Sequence, residues 1–202
     1  MAALLRAHRR RAGLTLDALA ERTGLTKSYL SKVERGLRTP SIAVALKIAS
    51  ALDADVSQLF SGNPDDTVVT IERRSQRARV DGTDGRAMYD PVATRMVGKA
   101  MQPFVVHPTV YPESDFMEHA GEEFIYVTAG AVEVTLADQV IQLDEGDSLY
   151  FDANTPHRVR SVSPERAVLI VVVHDGDARN PLHDGDSSAA RQCGPTTLTS
   201  EA

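Results

Sequence analysis

Lys27, Ser28, Ser31, Lys32 and Arg35 share one outward arc if the stretch from Lys27 to about Arg35 is helical, with Leu30 and Val33 turned inward. Tyr29 lies at the edge of that arc. Short hydroxyls and long cations on one exposed helical face suit the major groove of duplex DNA, where cations reach phosphates or guanine edges. The free amides at the start of such a helix, near Thr26 and Lys27, favour a phosphate. The same residues also allow a plain alternative, a solvated polar face with no DNA, as in an enzyme that keeps a vestigial helical unit.

Short helices must position that face. Ala2 to Ala12 is rich in Ala, Leu and Arg, and Gly13 stops it. Thr15 is placed to cap a second helix carrying Leu16, Leu19 and Ala20 inward, with Asp17 in its first turn. Gly24 supplies a left-handed end, and Thr26 caps the third helix two residues later. Pro40-Ser41 opens a fourth, with Ile42, Ala45, Leu46, Ala49 and Leu52 as its apolar stripe, and Val56-Leu59-Phe60 suggests a short fifth. Charge separates this segment from the rest. Residues 1–60 carry ten cations against five anions, a net of +5, and the remaining 12 cations and 23 anions give −11. A basic front on an acidic back suggests a polyanion-binding module joined to one that does not bind polyanions.

Five short helices, the second and third joined by a glycine turn, describe a helix-turn-helix. Leu14-Thr-Leu-Asp-Ala-Leu-Ala-Glu-Arg-Thr-Gly24 followed by Leu25-Thr-Lys-Ser-Tyr-Leu-Ser-Lys-Val-Glu-Arg-Gly36 resembles the phage-repressor-like, XRE-type helix-turn-helix family. The resemblance continues through Arg38-Thr39-Pro40-Ser41 to Phe60. It implies base-edge contacts at Lys27, Ser28, Ser31 and Lys32, and backbone contacts at Thr15, Tyr29, Arg35 and Arg38.

From about Val68 the apolar period changes to two. Strands are expected at 68–72, 77–80, 93–97, 102–110, 123–128, 131–136, 139–143, 148–151, 157–161 and 167–173. Many short strands with even turn spacing point to a sandwich or barrel. The boundaries expected are a head at 1–60, a linker at 61–67, a barrel at 68–174 and a disordered tail at 175–202.

Two strings stand out in the acidic part. His119-Ala-Gly-Glu-Glu123 leads into a strand, and Gly146-Asp-Ser-Leu-Tyr-Phe-Asp-Ala-Asn-Thr-Pro-His157 follows one hairpin later. Together they resemble the two signature motifs of the cupin superfamily, a small jelly-roll barrel. The expected class is therefore α+β, an all-α helix-turn-helix domain joined to an all-β cupin barrel. The first motif normally has two histidines one residue apart, and Met117 stands at the first of those positions. The remaining donors, His119, Glu123 and His157, form a facial-triad set suited to Fe(II), Mn(II), Zn(II) or Ni(II). Met117 is then either a weak fourth donor or pocket filler. The alternative is a metal-free pocket in which Glu123 binds a cationic or hydroxylated effector. Glu122 falls on the opposite face and reads as a solvated charge.

Other residues carry less. His8, His107 and His174 read as surface groups and His183 lies in the tail, while Tyr111, Tyr126 and Tyr150 occupy strand positions where core packing is the default. Cys193 alone excludes an intrachain disulfide framework and a Cys-rich zinc site. The longest apolar run, Ala167–Val173, is too short for a bilayer, and no apolar stretch follows Arg9-Arg10-Arg11 as in a signal sequence. A soluble, cytoplasmic chain is expected.

A repressor-type head followed by a cupin resembles one-component bacterial regulators in which the barrel dimerises and senses a small molecule or metal. A sixty-residue head makes few base contacts, so useful specificity needs two heads on an inverted repeat. The partners implied are double-stranded DNA, a second copy of the chain and a small-molecule effector, with no membrane. The second resemblance is to a non-haem iron epoxidase of hydroxypropylphosphonate, whose metal positions match His119, Glu123 and His157. Tyr89 falls near that enzyme's substrate-side tyrosine, but Gly13 stands where it has a lysine, and its recognition helix is poor in cations.

Overall fold

The computed structural model describes residues 1–60, 69–76 and 85–174. Four helices come first: α1 (Ala2–Arg11), α2 (Leu16–Thr23), α3 (Lys27–Glu34) and α4 (Ile42–Ala51), then a 3-10 turn at Val56–Leu59. Their starts are set by hydroxyl caps. The side chains of Thr15, Thr26 and Ser41 accept from the amides of Ala18, Tyr29 and Val44, satisfying donors a helix start leaves open. Gly24 ends α2 at φ 67°, a left-handed geometry that glycine adopts without strain. Leu5, Leu19, Leu30, Val33, Ile48 and Leu59 fill the space between the helices and are almost wholly buried.

One charged pair runs through this core. The Arg9 guanidinium donates to both Glu34 oxygens, at 2.6 and 3.1 Å, and to the Leu14 carbonyl at 2.7 Å. Both side chains are largely out of water, 10% and 6% exposed, and the bond to Glu34 pushes the Arg9 pKa further up. Arg9 is thus an internal clamp between α1 and the end of α3.

Eight strands follow: β1 (Met88–Pro91), β2 (Met101–His107), β3 (Glu122–Ala129), β4 (Val132–Leu136), β5 (Gln139–Leu143), β6 (Ser148–Asp152), β7 (His157–Ser161) and β8 (Val168–His174). They form two antiparallel sheets, ordered β1-β2-β8-β3-β6 and β5-β4-β7. Phe104, Ile125, Val127, Val132, Val134 and Leu169 are buried between them. The architecture is α+β, helices first and a cupin-type double sheet second.

Three expectations are corrected. Residues 69–72 form no strand: Val69 and Ile71 alternate but stay 68% and 62% exposed, since no neighbouring strand pairs with them. Residues 93–97 form a turn, because Ala93 adopts φ 57° and its carbonyl accepts from the Met96 amide. The strand nearby is Met88–Pro91 instead, paired with β2. Tyr111, Tyr126 and Tyr150 are exposed at 51%, 40% and 61%, not core; Tyr126 and Tyr150 fall on the outward alternation of β3 and β6, between buried Ile125, Val127 and Phe151. Residues 61–68, 77–84 and 175–202, with His183 and Cys193, lie outside the described residues.

Removing one partner of a buried pair strands the other charge in low dielectric. Glu34→Ala is expected to lower head stability by about 3 kcal/mol, read as a shift of the helical signal in a denaturant titration of the full chain. An unshifted midpoint would show that the clamp contributes nothing.

Candidate nucleic-acid face and metal centre

Burial of Leu30 and Val33 fixes the rotation of α3 about its axis. Lys27, Ser28, Lys32 and Arg35 are exposed, as are Thr15, Thr26 and Arg38, while Tyr29 and Ser31 are half-buried. Every contact residue expected from the sequence is thus at least partly exposed. Several are already engaged. Lys27 Nζ lies 2.8 Å from an Asp17 oxygen, both side chains well exposed, so the pair is worth at most about 1 kcal/mol and exchanges readily for a phosphate. Arg35 Nε donates to the Ser31 carbonyl at 3.3 Å. The Arg38 guanidinium lies 5.2 Å over the Tyr29 ring, a cation–π contact. The Thr15 and Thr26 oxygens are occupied as caps, which leaves each hydroxyl proton free to donate outward.

The second cluster is built by strand alternation and two backbone bridges. Glu123 points inward from β3 while Glu122 is exposed and accepts from the Tyr150 hydroxyl, which holds that phenol above its usual pKa. Met117 and His157 exchange both backbone bonds, at 2.8 and 2.9 Å, and the His119 amide donates to the Ala153 carbonyl at 3.0 Å. These bridges pin the stretch carrying His119 against the start of β7. His119 Nε2 lies 2.9 Å and His157 Nε2 3.6 Å from the same Glu123 oxygen, with side chains 8%, 1% and 8% exposed for His119, His157 and Glu123.

The donor set fits a divalent ion. His157 Nδ1 lies 2.9 Å from the Thr155 carbonyl, which holds the proton on that nitrogen and leaves the Nε2 lone pair facing Glu123. His157 Nε2 is buried and has no hydrogen-bond partner. His119 Nδ1 lies 3.2 Å from the Ala120 carbonyl, an arrangement of the same kind. The three candidate ligand atoms all fall within 4.8 Å of one another. Phe151 stands edge-on to His157 at 5.0 Å and walls one side; nothing in the spacing of the motifs signalled it. Met117, half-buried, is adjacent through the backbone bridge. Tyr89 takes no part here, because its hydroxyl donates to the Pro40 carbonyl at 2.6 Å. His8, His107 and His174 are half-buried and outside the cluster; burial and Arg166 lower the His107 pKa.

A helix-turn-helix head and a cupin double sheet carrying a His-Glu-His cluster define a two-part regulator architecture. A helix-turn-helix family model matches residues 5–59 and a cupin-domain model residues 106–174. The chain belongs to the helix-turn-helix transcriptional regulators and carries a C-terminal cupin domain. An uncharacterised helix-turn-helix regulator from Methanothermobacter thermautotrophicus is 44% identical over 52 residues, 26% of this chain and 75% of that one. The regulator SutR of Escherichia coli K12 is 24% identical over 170 residues, 82% of this chain and 89% of its own length. The solved structure of an HTH_3 family transcriptional regulator from Vibrio cholerae superposes with a TM-score of 0.61 at 28% identity, covering 86% of this chain and 93% of that one. Hydroxypropylphosphonic acid epoxidase from S. wedmorenis superposes at 0.45 and 25% identity, covering 85% and 95%, too loose a match to bear on function. The chain spans 38% of the length of SlrR and 51% of that of SinR, both of Bacillus subtilis.

Loss of the α3 cap should be felt before any ligand is added. Thr26→Ala is expected to cost about 1 kcal/mol, measured by chemical denaturation, and Thr26→Ser to restore most of it. Equal stability of all three chains would mean the cap bond is not formed in solution.

Proposed function

We propose that the chain is a sequence-specific DNA-binding transcriptional regulator that acts as a homodimer on an inverted repeat, with a metal or small-molecule effector held in the cupin barrel. The observation that carries this reading is the outer face of α3. Lys27, Ser28, Lys32 and Arg35 are presented to solvent by a helix whose inner face is locked by Leu30, Val33 and Glu34. The N-terminal amides of α3 and the hydroxyls of Thr15 and Thr26 serve phosphates, and Ser28, Ser31, Lys27 and Lys32 serve base edges. Tyr29, Arg35 and Arg38 complete the backbone contacts. Among the described residues no helix is long and apolar enough to cross a membrane, in keeping with action on cytoplasmic DNA.

In a selection of bound sequences, the wild-type chain is expected to enrich a two-fold-symmetric site. Lys32→Ala should weaken binding and lower the salt slope by about one. Unchanged affinity after joint substitution of Lys27, Lys32 and Arg35 would remove the groove assignment.

In the barrel, His119, Glu123 and His157 would hold Fe(II), Mn(II), Zn(II) or Ni(II), and the ion would supply open coordination positions for an effector's oxygen or nitrogen. Met117 at the neighbouring position adds at most a soft, weak donor. The residues' part is to present two preoriented imidazoles and a carboxylate from a dry wall. Oxidative catalysis at the same donors is the lesser reading, since position 13 is glycine and the cations sit on α3. Titration of the purified chain with each ion should show uptake of one per chain and a raised unfolding temperature, both lost in His157→Ala. No uptake by the wild type would leave the pocket to a metal-free effector.

A further inference from the structure

Head and barrel meet through groups that neither the DNA face nor the metal cluster uses. Tyr89 of β1 is half-buried, and its hydroxyl donates to the Pro40 carbonyl at the entry to α4. Its ring stands edge-on to Phe60 of the head at 6.1 Å and to Phe104 of the barrel core at 5.7 Å. Lys99 Nζ lies 3.7 Å from one Asp55 oxygen, each side chain 9% exposed. The other Asp55 oxygen accepts the Gly98 amide at 2.8 Å. Lys99 Nζ also donates to the Met96 carbonyl at 3.2 Å, and Glu72, which receives the Ala93 amide and the Thr94 hydroxyl, adds a second negative charge toward it.

These contacts differ from ordinary domain packing. Units joined by a chain segment move relative to one another by default unless the surface between them is large and apolar. A lysine and an aspartate taken out of water are costly, and their attraction offsets that cost only while the geometry holds. A seam that slid would part the two charges while they remained out of water. The Tyr89–Pro40 and Gly98–Asp55 bonds are directional, so they select an orientation as well as a contact. Tyr29 of α3 lies near Tyr89, adding to the upward push that burial gives the Tyr89 phenol. The seam thus reaches the helix that carries the candidate DNA contacts.

We propose that Tyr89 and Lys99 are positioning residues that seat the helix-turn-helix head on the barrel in one pose, and that this pose sets the half-site spacing a dimer accepts. The inference rests on the DNA-binding dimer proposed above. Two heads carried rigidly by paired barrels present their α3 helices at one separation, whereas heads released from the barrel still bind a half-site but tolerate altered spacers.

The test uses the full chain and the conservative variants Tyr89→Phe, Lys99→Met and Asp55→Asn, which keep the ring, the aliphatic stem and the Gly98 bond. Scanning calorimetry of the wild type should show one unfolding transition, and the Tyr89→Phe/Lys99→Met double variant two. On inverted repeats whose spacer is lengthened by two or five base pairs, the wild type should lose about tenfold or more in affinity. The double variant should lose far less, while its affinity for a single half-site stays at the wild-type value. A purely stabilising role would lower stability without changing the spacer ratio, and that result overturns the proposal. So does a double variant that melts in one transition at the wild-type temperature. A wild-type chain that binds no duplex at low salt overturns the regulator reading instead, and calorimetry alone then decides whether the seam locks the head.

Discussion

A helix of eight residues does not persist in water by itself, because nucleation costs more than so few backbone bonds return. α3 is such a helix, and it depends on what its inner face touches. Leu30 and Val33 vanish into the head, the Thr26 hydroxyl closes its start, and Arg9 grips Glu34 at its end. All of the stabilising duty falls on that side. The outer residues are released from structural work, which is why a row of hydroxyls and cations can stand there with no internal partner stronger than a surface ion pair. The same constraint fixes rotation, since turning α3 far enough to bury Lys32 would expose Val33.

In the barrel the equivalent constraint is register. Glu123 is paired with Phe151 on one side and Val173 on the other, both inward-facing. A slip of one residue would send Glu123 to solvent and bring Glu122 inside. Once inside, a carboxylate must be compensated. The groups that reach it are the two imidazoles, whose far nitrogens are held by the carbonyls of Thr155 and Ala120. A cation between them would satisfy the carboxylate and the unpartnered His157 nitrogen together, as would a bound molecule offering two hydrogen-bond donors.

How much of this was legible in the sequence follows from the range of the interactions involved. The caps at Thr15, Thr26 and Ser41 act over three residues, so their helices could be read almost to the residue. The triad was legible because two local strings carry it. What escaped were long-range events. Nothing local sets Arg9 apart from its neighbours Arg10 and Arg11, since its partner Glu34 is 25 positions away. Tyr126 and Tyr150 were assigned to the core because aromatic strand residues usually are, and only pairing reveals which alternate face is outward. The strand expected at 93–97 failed on one left-handed residue, Ala93, and Met88–Pro91 replaced it because an edge strand needs only one partner. The Tyr89, Lys99 and Asp55 seam joins positions 44 to 49 residues apart and left no local trace.

The order of strands bears on how the two halves can influence each other. Glu123 lies on β3 and Tyr89 on β1, and both belong to the sheet ordered β1-β2-β8-β3-β6. β8 and β2 stand between them, paired throughout by backbone bonds. A ligand at the cluster alters DNA affinity only to the extent that it prefers one arrangement of that sheet over another. A metal ion held by His119, Glu123 and His157 would bridge both sheets, because His157 belongs to the β5-β4-β7 sheet and Glu123 to the other. The buried Phe104 ring against Tyr89 marks where the barrel core ends and the contacts to the head begin.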